Sequence, residues 1–202
     1  MMKKKIVVGI TGASGAPYAR RLLGVLRRRD DVELGVCLSQ TAPEVWALEC
    51  GGDLREFLGA ERGGVSGPPA GDRPVQVWAG RDYKAPFASG SAGWQAMAVV
   101  PCSMGTVARI AHGISDTLLT RAADVMLKER RKLVVVPRET PLSTVHLENL
   151  AALSRAGAVV LPAMPSFYGK PQGIDDVLDT VVARLMDHLG LEHDLGTRWG
   201  SR

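Results

Sequence analysis

The sequence predicts an α/β chain of the Rossmann-like, doubly wound kind: a mostly parallel sheet with helices on both faces, forming one domain over residues 1–202. Three observations carry this expectation. Short apolar runs recur between stretches of helical periodicity. Most of these runs are continuous rather than alternating, as strands buried on both faces must be. The first, "KIVVGI", enters a glycine-rich turn and then a basic helix with apolar spacing, an arrangement that builds phosphate seats.

Taken in order, the β-branched run Ile6, Val7, Val8 and Ile10 predicts a strand over 5–10. Pro17 suits a helical first turn, with Ser14 or Gly15 as cap, so a helix follows over 16–29. A strand over 32–38 and a helix over 41–50 come next. Residues 59–74, "GAERGGVSGPPAGDRP", lack an apolar period and read as a surface loop. Strands are then expected at 75–79, 96–100, 133–137 and 158–162, and helices at 105–112, 116–131 and 143–156. The last helix, 174–189, has the clearest pattern. Ile174, Val177, Leu178, Val181, Val182, Leu185, Met186 and Leu189 form an unbroken apolar stripe.

Composition removes several classes. The 202 residues are 46% hydrophobic and 23% charged, with a net charge of +4, enough for one full core. The basic runs at Arg27–Arg29 and Lys128–Lys132 end predicted helices, where cations suit the dipole, so no nucleic-acid partner is expected. Three cysteines without C-x-x-C spacing argue for a reducing, cytoplasmic setting. The apolar run behind Lys3–Lys5 is broken by Gly9, Gly12 and Gly15, so neither a signal peptide nor a membrane span is expected, and the chain reads as soluble. His112, His146, His188 and His193 lack metal-ligand spacing, and no metal is expected.

In a doubly wound sheet, ligands bind beyond the carboxyl ends of the strands. The segments there read "TGASGAP", "SQTAP", "PCSMGT", "PRETP" and "PAMPSFYGKP". The spacing Gly9-x-x-Gly12-x-x-Gly15 is neither the G-x-G-x-x-G of dinucleotide enzymes nor a P-loop. Amides at the helix start, with the Thr11 and Ser14 hydroxyls, would bind a phosphate without a lysine. No carboxylate stands near Ser39 to hold a ribose, which favours a mononucleotide. Ser103 and Thr106 flank Gly105 at a second donor-rich helix start; an ordinary cap at Ser103 is the plainer reading, but two such turns on neighbouring strands favour a paired site. Cys102, with no nearby His, reads as a buried structural thiol. Arg138 and Glu139 directly follow a buried strand, where a carboxyl beside an arginine could exchange a proton with a phosphate.

Together the segments "GITGASGAPYARRLL", "APFASGS", the run from "VVPCSMGT" through "VPRETPLSTVHLENL", and "PAMPSFYGKPQGIDDVLDTVVARLMDHLG" closely resemble the flavin prenyltransferases of the UbiX type. "RETPLS" and "PSFYGKP" are specific to that family; the glycine turn is not. The resemblance implies prenylation of reduced FMN at N5 and C6 by dimethylallyl phosphate, without a metal. The product, prenylated FMN, would pass to a UbiD-type decarboxylase, with a place in ubiquinone biosynthesis. It implies a dodecamer with sites at subunit junctions, so that some residues would serve a neighbour's pocket.

Carried over by position, Gly12, Ala13, Ser14, Ser39, Ser103, Met104, Gly105, Thr106 and Arg138 would face the flavin, with its phosphate on Gly12–Ser14. Lys128, Arg138, Glu139, Tyr168 and Arg184 would hold the prenyl phosphate. Ser14, Glu139 and Lys128 would be catalytic, and Trp199, in the tail from about 190 to 202, would cover the site. Two other activities are weighed. An FMN-dependent decarboxylase of the cysteine type would want a catalytic His and a "PASANT"-like segment, where this chain has "PCSMGT" and no His before His112. A non-catalytic FMN-binding partner subunit of an aromatic acid decarboxylase would need no second anion site.

Overall fold

The computed structural model describes residues 3–61, 64–65 and 75–196. Its strands are β1 (Lys4–Ile10), β2 (Val32–Leu38), β3 (Ala60–Glu61), β4 (Gly64–Val65), β5 (Gln76–Ala79), β6 (Ala96–Cys102), β7 (Lys132–Pro137) and β8 (Val159–Val160). The helices are α1 (Ala16–Leu26), α2 (Ala42–Cys50), α3 (Leu54–Phe57), α4 (Met104–Ala111), α5 (Leu118–Lys128), α6 (Thr144–Arg155) and α7 (Ile174–Leu189).

Six strands form one sheet in the order β5-β2-β1-β6-β7-β8, and every pairing within it is parallel. Counted along this sheet alone, that is the 3-2-1-4-5-6 order of doubly wound nucleotide-binding folds. The chain reverses its direction of travel between β1 and β6, so the crevice beyond their carboxyl ends is the place to look for a ligand.

Alternation along each strand divides the core between two faces. Ile6, Val8 and Ile10 of β1 pack with Leu22, Leu23 and Leu26 of α1, Trp46 of α2 and Val182, Leu185 and Met186 of α7. Val7 on the opposite face joins Met97 and Val99, and with them Val107 of α4, Leu119, Ala122 and Met126 of α5, and Leu153 of α6. Every residue of β6 is buried, which explains why its sequence shows no polar alternation.

The structure departs from the sequence-based expectation in several places: α3 is not among the expected elements, β8 is shorter than 158–162, and α5 ends at Lys128 rather than residue 131. Helix α1 ends at Leu26 rather than residue 29, and Arg27–Arg29 turn the chain into β2. Helix α5 starts at Leu118 because Thr117 and Thr120 close a capping box. The expected loop at 59–74 carries the antiparallel pair β3–β4, in which Ala60 pairs with Val65 and Glu61 with Gly64. Strands of two residues are too short to leave a period in the sequence.

Candidate functional site

The carboxyl ends of β1 and β6 are tied together by one buried hydroxyl. Thr11, 2% exposed, donates from Oγ1 to the Pro101 carbonyl at 2.8 Å and accepts from the Ser103 amide at 2.9 Å. This corrects the expectation that Thr11 would face a phosphate: its hydroxyl is spent inside the fold. Thr11→Val should leave the Ser103 amide without its partner and destabilise the protein by about 1–3 kcal/mol in urea unfolding. Unchanged stability would show that the tie is idle.

Next comes the glycine turn. Gly15 precedes α1 at φ +116, a conformation open to glycine, and Ala16 and Pro17 begin the helix. A Cβ on Gly12 would collide with the Thr41 hydroxyl and sit 2.7 Å from Thr41 Cβ. Ser39 and Thr41 approach each other at 3.4 Å between hydroxyls, and the Ser39 amide donates to the Ile10 carbonyl at 2.9 Å. Gly12 therefore keeps open a narrow space beside two hydroxyls and the start of a helix, a donor set suited to a phosphate.

One partner of this turn was not evident in the sequence. The Glu49 carboxylate accepts from the Gly15 and Ala16 amides, both at 2.8 Å. The first-turn amides expected to bind a phosphate are thus held by Glu49, which leaves Gly12, Ala13 and Ser14 as the open part of the turn. Burial raises the Glu49 pKa, but the Ser14 hydroxyl, the two amides and the Arg138 charge outweigh it and hold the carboxyl below its ordinary value. A depressed folded-state value adds stability above the unfolded pKa and loses it as pH falls through the folded one. Melting temperature should therefore drop as the solution is acidified below about pH 4.5, and Glu49→Gln should flatten that dependence. Identical slopes in thermal melts would remove Glu49 from the acid response.

At the second donor-rich turn, Ser103 caps α4, its Oγ accepting from the Thr106 amide and lying 3.0 Å from Thr106 Oγ1. Gly105 is exposed, whereas the Met104 side chain is 5% exposed and belongs to the core, so Met104 can face a ligand only through its backbone. Cys102 is fully buried, and burial pushes its thiol far up, out of reach of nucleophilic use.

After β7, Arg138 Nε donates to the Ser14 carbonyl at 3.2 Å, joining the "RETP" turn to the glycine turn. Glu139 is exposed beside it and accepts from the Thr140 amide at 3.1 Å. The peptide bonds Val100–Pro101 and Thr140–Pro141 are cis. Beyond β8, the Ala163 amide donates to the Pro137 carbonyl at 3.0 Å, so the segment carrying Tyr168 leaves from the same edge. Tyr168 is 79% exposed.

Comparisons with known proteins bear on the family and the fold. A family profile described as Flavoprotein matches residues 1–186. A flavin prenyltransferase UbiX of Alkalihalophilus pseudofirmus is 46% identical over 201 residues, covering 98% of each chain. The chain belongs to the UbiX-type flavin prenyltransferases. Two solved structures extend the likeness to the fold. One is a dodecameric FMN-dependent UbiX-like decarboxylase from Escherichia coli O157:H7, 43% identical, with TM-score 0.87 over 98% of this chain and 100% of that one. The other is AnUbiX (PadA1) in complex with FMN and dimethylallyl pyrophosphate, 39% identical, with TM-score 0.86 over 99% of each chain.

Two residues expected at the prenyl-phosphate pocket of a UbiX-type protein lie elsewhere in this chain. Lys128 ends α5, four residues before β7 begins, while Arg138 follows the end of that strand. Six strand residues separate the two edges by roughly 20 Å. Lys128 pairs with Glu129 at 2.5 Å, next to Arg131, whose Nη2 donates to the Gly90 carbonyl at 2.7 Å. Helix α7 runs back from the ligand edge, and the carbonyl of Gly190 after it accepts from Lys4 Nζ at the start of β1. Arg184, six residues before Gly190, therefore lies nearer the far edge and pairs with Asp187 at 2.9 Å. One subunit brings Ser14, Ser39, Ser103, Thr106, Arg138 and Glu139 to the ligand edge and leaves Lys128 and Arg184 toward the opposite one. The Ser166 amide donates to Thr180 Oγ1 at 3.2 Å and so ties the segment before Tyr168 to α7 one turn from Arg184. Trp199 lies outside the described residues. Among the described residues, no group of three or more His, Cys, Asp or Glu side chains could hold a metal ion. No helix among the described residues is long and apolar enough to cross a membrane.

Proposed function

We propose that this chain transfers the dimethylallyl group of dimethylallyl phosphate to N5 and C6 of reduced FMN without a metal, making prenylated FMN for a UbiD-type decarboxylase in the cytoplasm. The observation that carries the reading is the Arg138–Ser14 contact. It sets a guanidinium, with Glu139 the next residue along the chain, directly against the cradle that suits a flavin phosphate. A passive flavin carrier needs the cradle but not the second charged group.

Gly12, Ala13 and Ser14, with Ser39, Ser103, the Met104 backbone, Gly105, Thr106 and Arg138, would hold FMN, and the Gly12 space fits a phosphate. Bound reduced FMN would supply the electron-rich ring atoms that accept the prenyl unit. Arg138 and Glu139 take the prenyl phosphate from the ligand edge of one subunit, and Tyr168 joins them at the pocket. Lys128 and Arg184 complete the pocket from neighbouring copies and neutralise the phosphate as its bond to carbon breaks. Glu139 hands a proton to a phosphate oxygen, and Ser14 Oγ moves one with the Glu49 carboxylate as its partner. Residues 1–202 act as one flavoprotein unit within a homo-oligomer. A dodecamer, as in the Escherichia coli relative, gives Lys128 and Arg184 their neighbours.

Glu139→Gln is the test. Prenyl transfer should fall by about two orders of magnitude, the scale of general acid catalysis, with FMN affinity unchanged. An unaffected transfer rate would take Glu139 out of the mechanism.

A further inference from the structure

We propose that Asp187 and His193 are positioning residues for the Arg184 guanidinium, through which the segment after α7 sets the grip on the prenyl phosphate. The proposal rests on the reading of Arg184 given above and deepens it.

His193 lies just past α7, and its side chain is only 2% exposed. Its Nδ1 accepts from the Leu195 amide at 3.1 Å, which requires that the proton of the neutral ring sit on Nε2. That Nε2–H then donates to Asp187 Oδ1 at 3.1 Å. The other carboxylate oxygen, Oδ2, accepts from Arg184 Nη1 at 2.9 Å. Each link fixes the next: the tail amide sets the tautomer, the imidazole orients the carboxylate, and the carboxylate orients the guanidinium.

The plainer reading is an exposed i,i+3 ion pair, which stabilises little. Two facts weigh against it. Asp187 stands in the last turn of α7, where the helix dipole disfavours a carboxylate. An exposed pair also needs no buried imidazole behind it. Arg184, 61% exposed, would by itself sample many rotamers, and a guanidinium held in one plane by a single N–H keeps its other donors for a phosphate. The tail is well seated for the task. Leu191 is buried, Leu195 packs on the α1–α7 core, and a Cβ on Gly196 would lie 3.6 Å from that of Ala183.

The experiment uses the full-length protein loaded with FMN. It measures KM and kcat for dimethylallyl phosphate, FMN affinity and melting temperature for Arg184→Ala, Asp187→Asn, His193→Ala, His193→Gln and the Arg184→Ala/Asp187→Asn double variant. Asp187→Asn and His193→Ala should raise KM about tenfold, the effect of losing a hydrogen bond to a charged group, with FMN affinity unchanged. His193→Gln, whose amide can both accept from Leu195 and donate to Asp187, should restore KM toward the parent value. In the Arg184→Ala background, Asp187→Asn should add nothing. KM and FMN affinity worsening together, or a full Asp187→Asn effect without Arg184, would overturn the proposal by showing a structural role. A raised KM in Arg184→Ala with a parent-like KM in Asp187→Asn and His193→Ala would overturn it too, leaving Arg184 at the phosphate. Unchanged KM in Arg184→Ala would instead overturn the reading of Arg184, and the proposal with it.

Discussion

Gly12→Ala should reduce FMN affinity by roughly a hundredfold, equivalent to losing one to two hydrogen bonds to a charged phosphate. The added methyl would meet Thr41 at its hydroxyl and at Cβ, the latter 2.7 Å away. Rotating the Thr41 side chain relieves the first contact but not the second, so the turn carrying Ser39 and Thr41 has to move. That movement widens the cradle and carries the Ser39 hydroxyl off the phosphate. The core below is untouched, since Ile10 and Leu38 keep their places in the sheet, and melting temperature without FMN should change little. Fluorescence titration with FMN reads the effect. A parent-like affinity would mean that the phosphate sits elsewhere.

The second large effect follows from the division of the cationic set between the two edges. Lys128→Ala and Arg138→Ala should each lose nearly all prenyl transfer. When the two variants are unfolded together and refolded as mixed oligomers, activity should return. A site joining Lys128 of one copy to Arg138 of another is intact wherever both donors are unmutated. For random mixing that is one site in four, because each of the two positions is intact in half of the subunits. If both residues served the same subunit's site, no site in the mixture would be whole and activity would stay at the level of the separate variants.

The sequence was most legible where burial is two-sided or the period long. The continuous apolar run of β1 announced a parallel strand, and the stripe from Ile174 to Leu189 marked α7 with both ends correct. The turns beyond the strands were legible as well, because hydroxyls and glycines cluster there for a chemical reason. Glu49 was not legible. It sits on the exposed side of α2 in a stretch that looks like any solvated helix, eight residues beyond Thr41. Its part emerges only because α2 lies beside the start of α1 and brings the carboxylate to the Gly15 and Ala16 amides. Thr11 misled for the converse reason. A threonine in a glycine turn suggests a ligand, and nothing in the sequence reveals that the Pro101 carbonyl and Ser103 amide claim its hydroxyl first. The position of Lys128 was hidden too, since motif order along a chain does not tell which edge of the sheet a helix end reaches.

The central claim is prenyl transfer to flavin, and its most direct test is anaerobic incubation of the purified protein with FMN, a reductant and dimethylallyl monophosphate, followed by mass spectrometry of the bound flavin. The account predicts a flavin heavier by one C5H8 unit. FMN recovered unchanged, both with the monophosphate and with the diphosphate, would contradict it and leave the chain a flavin-binding subunit without turnover of its own.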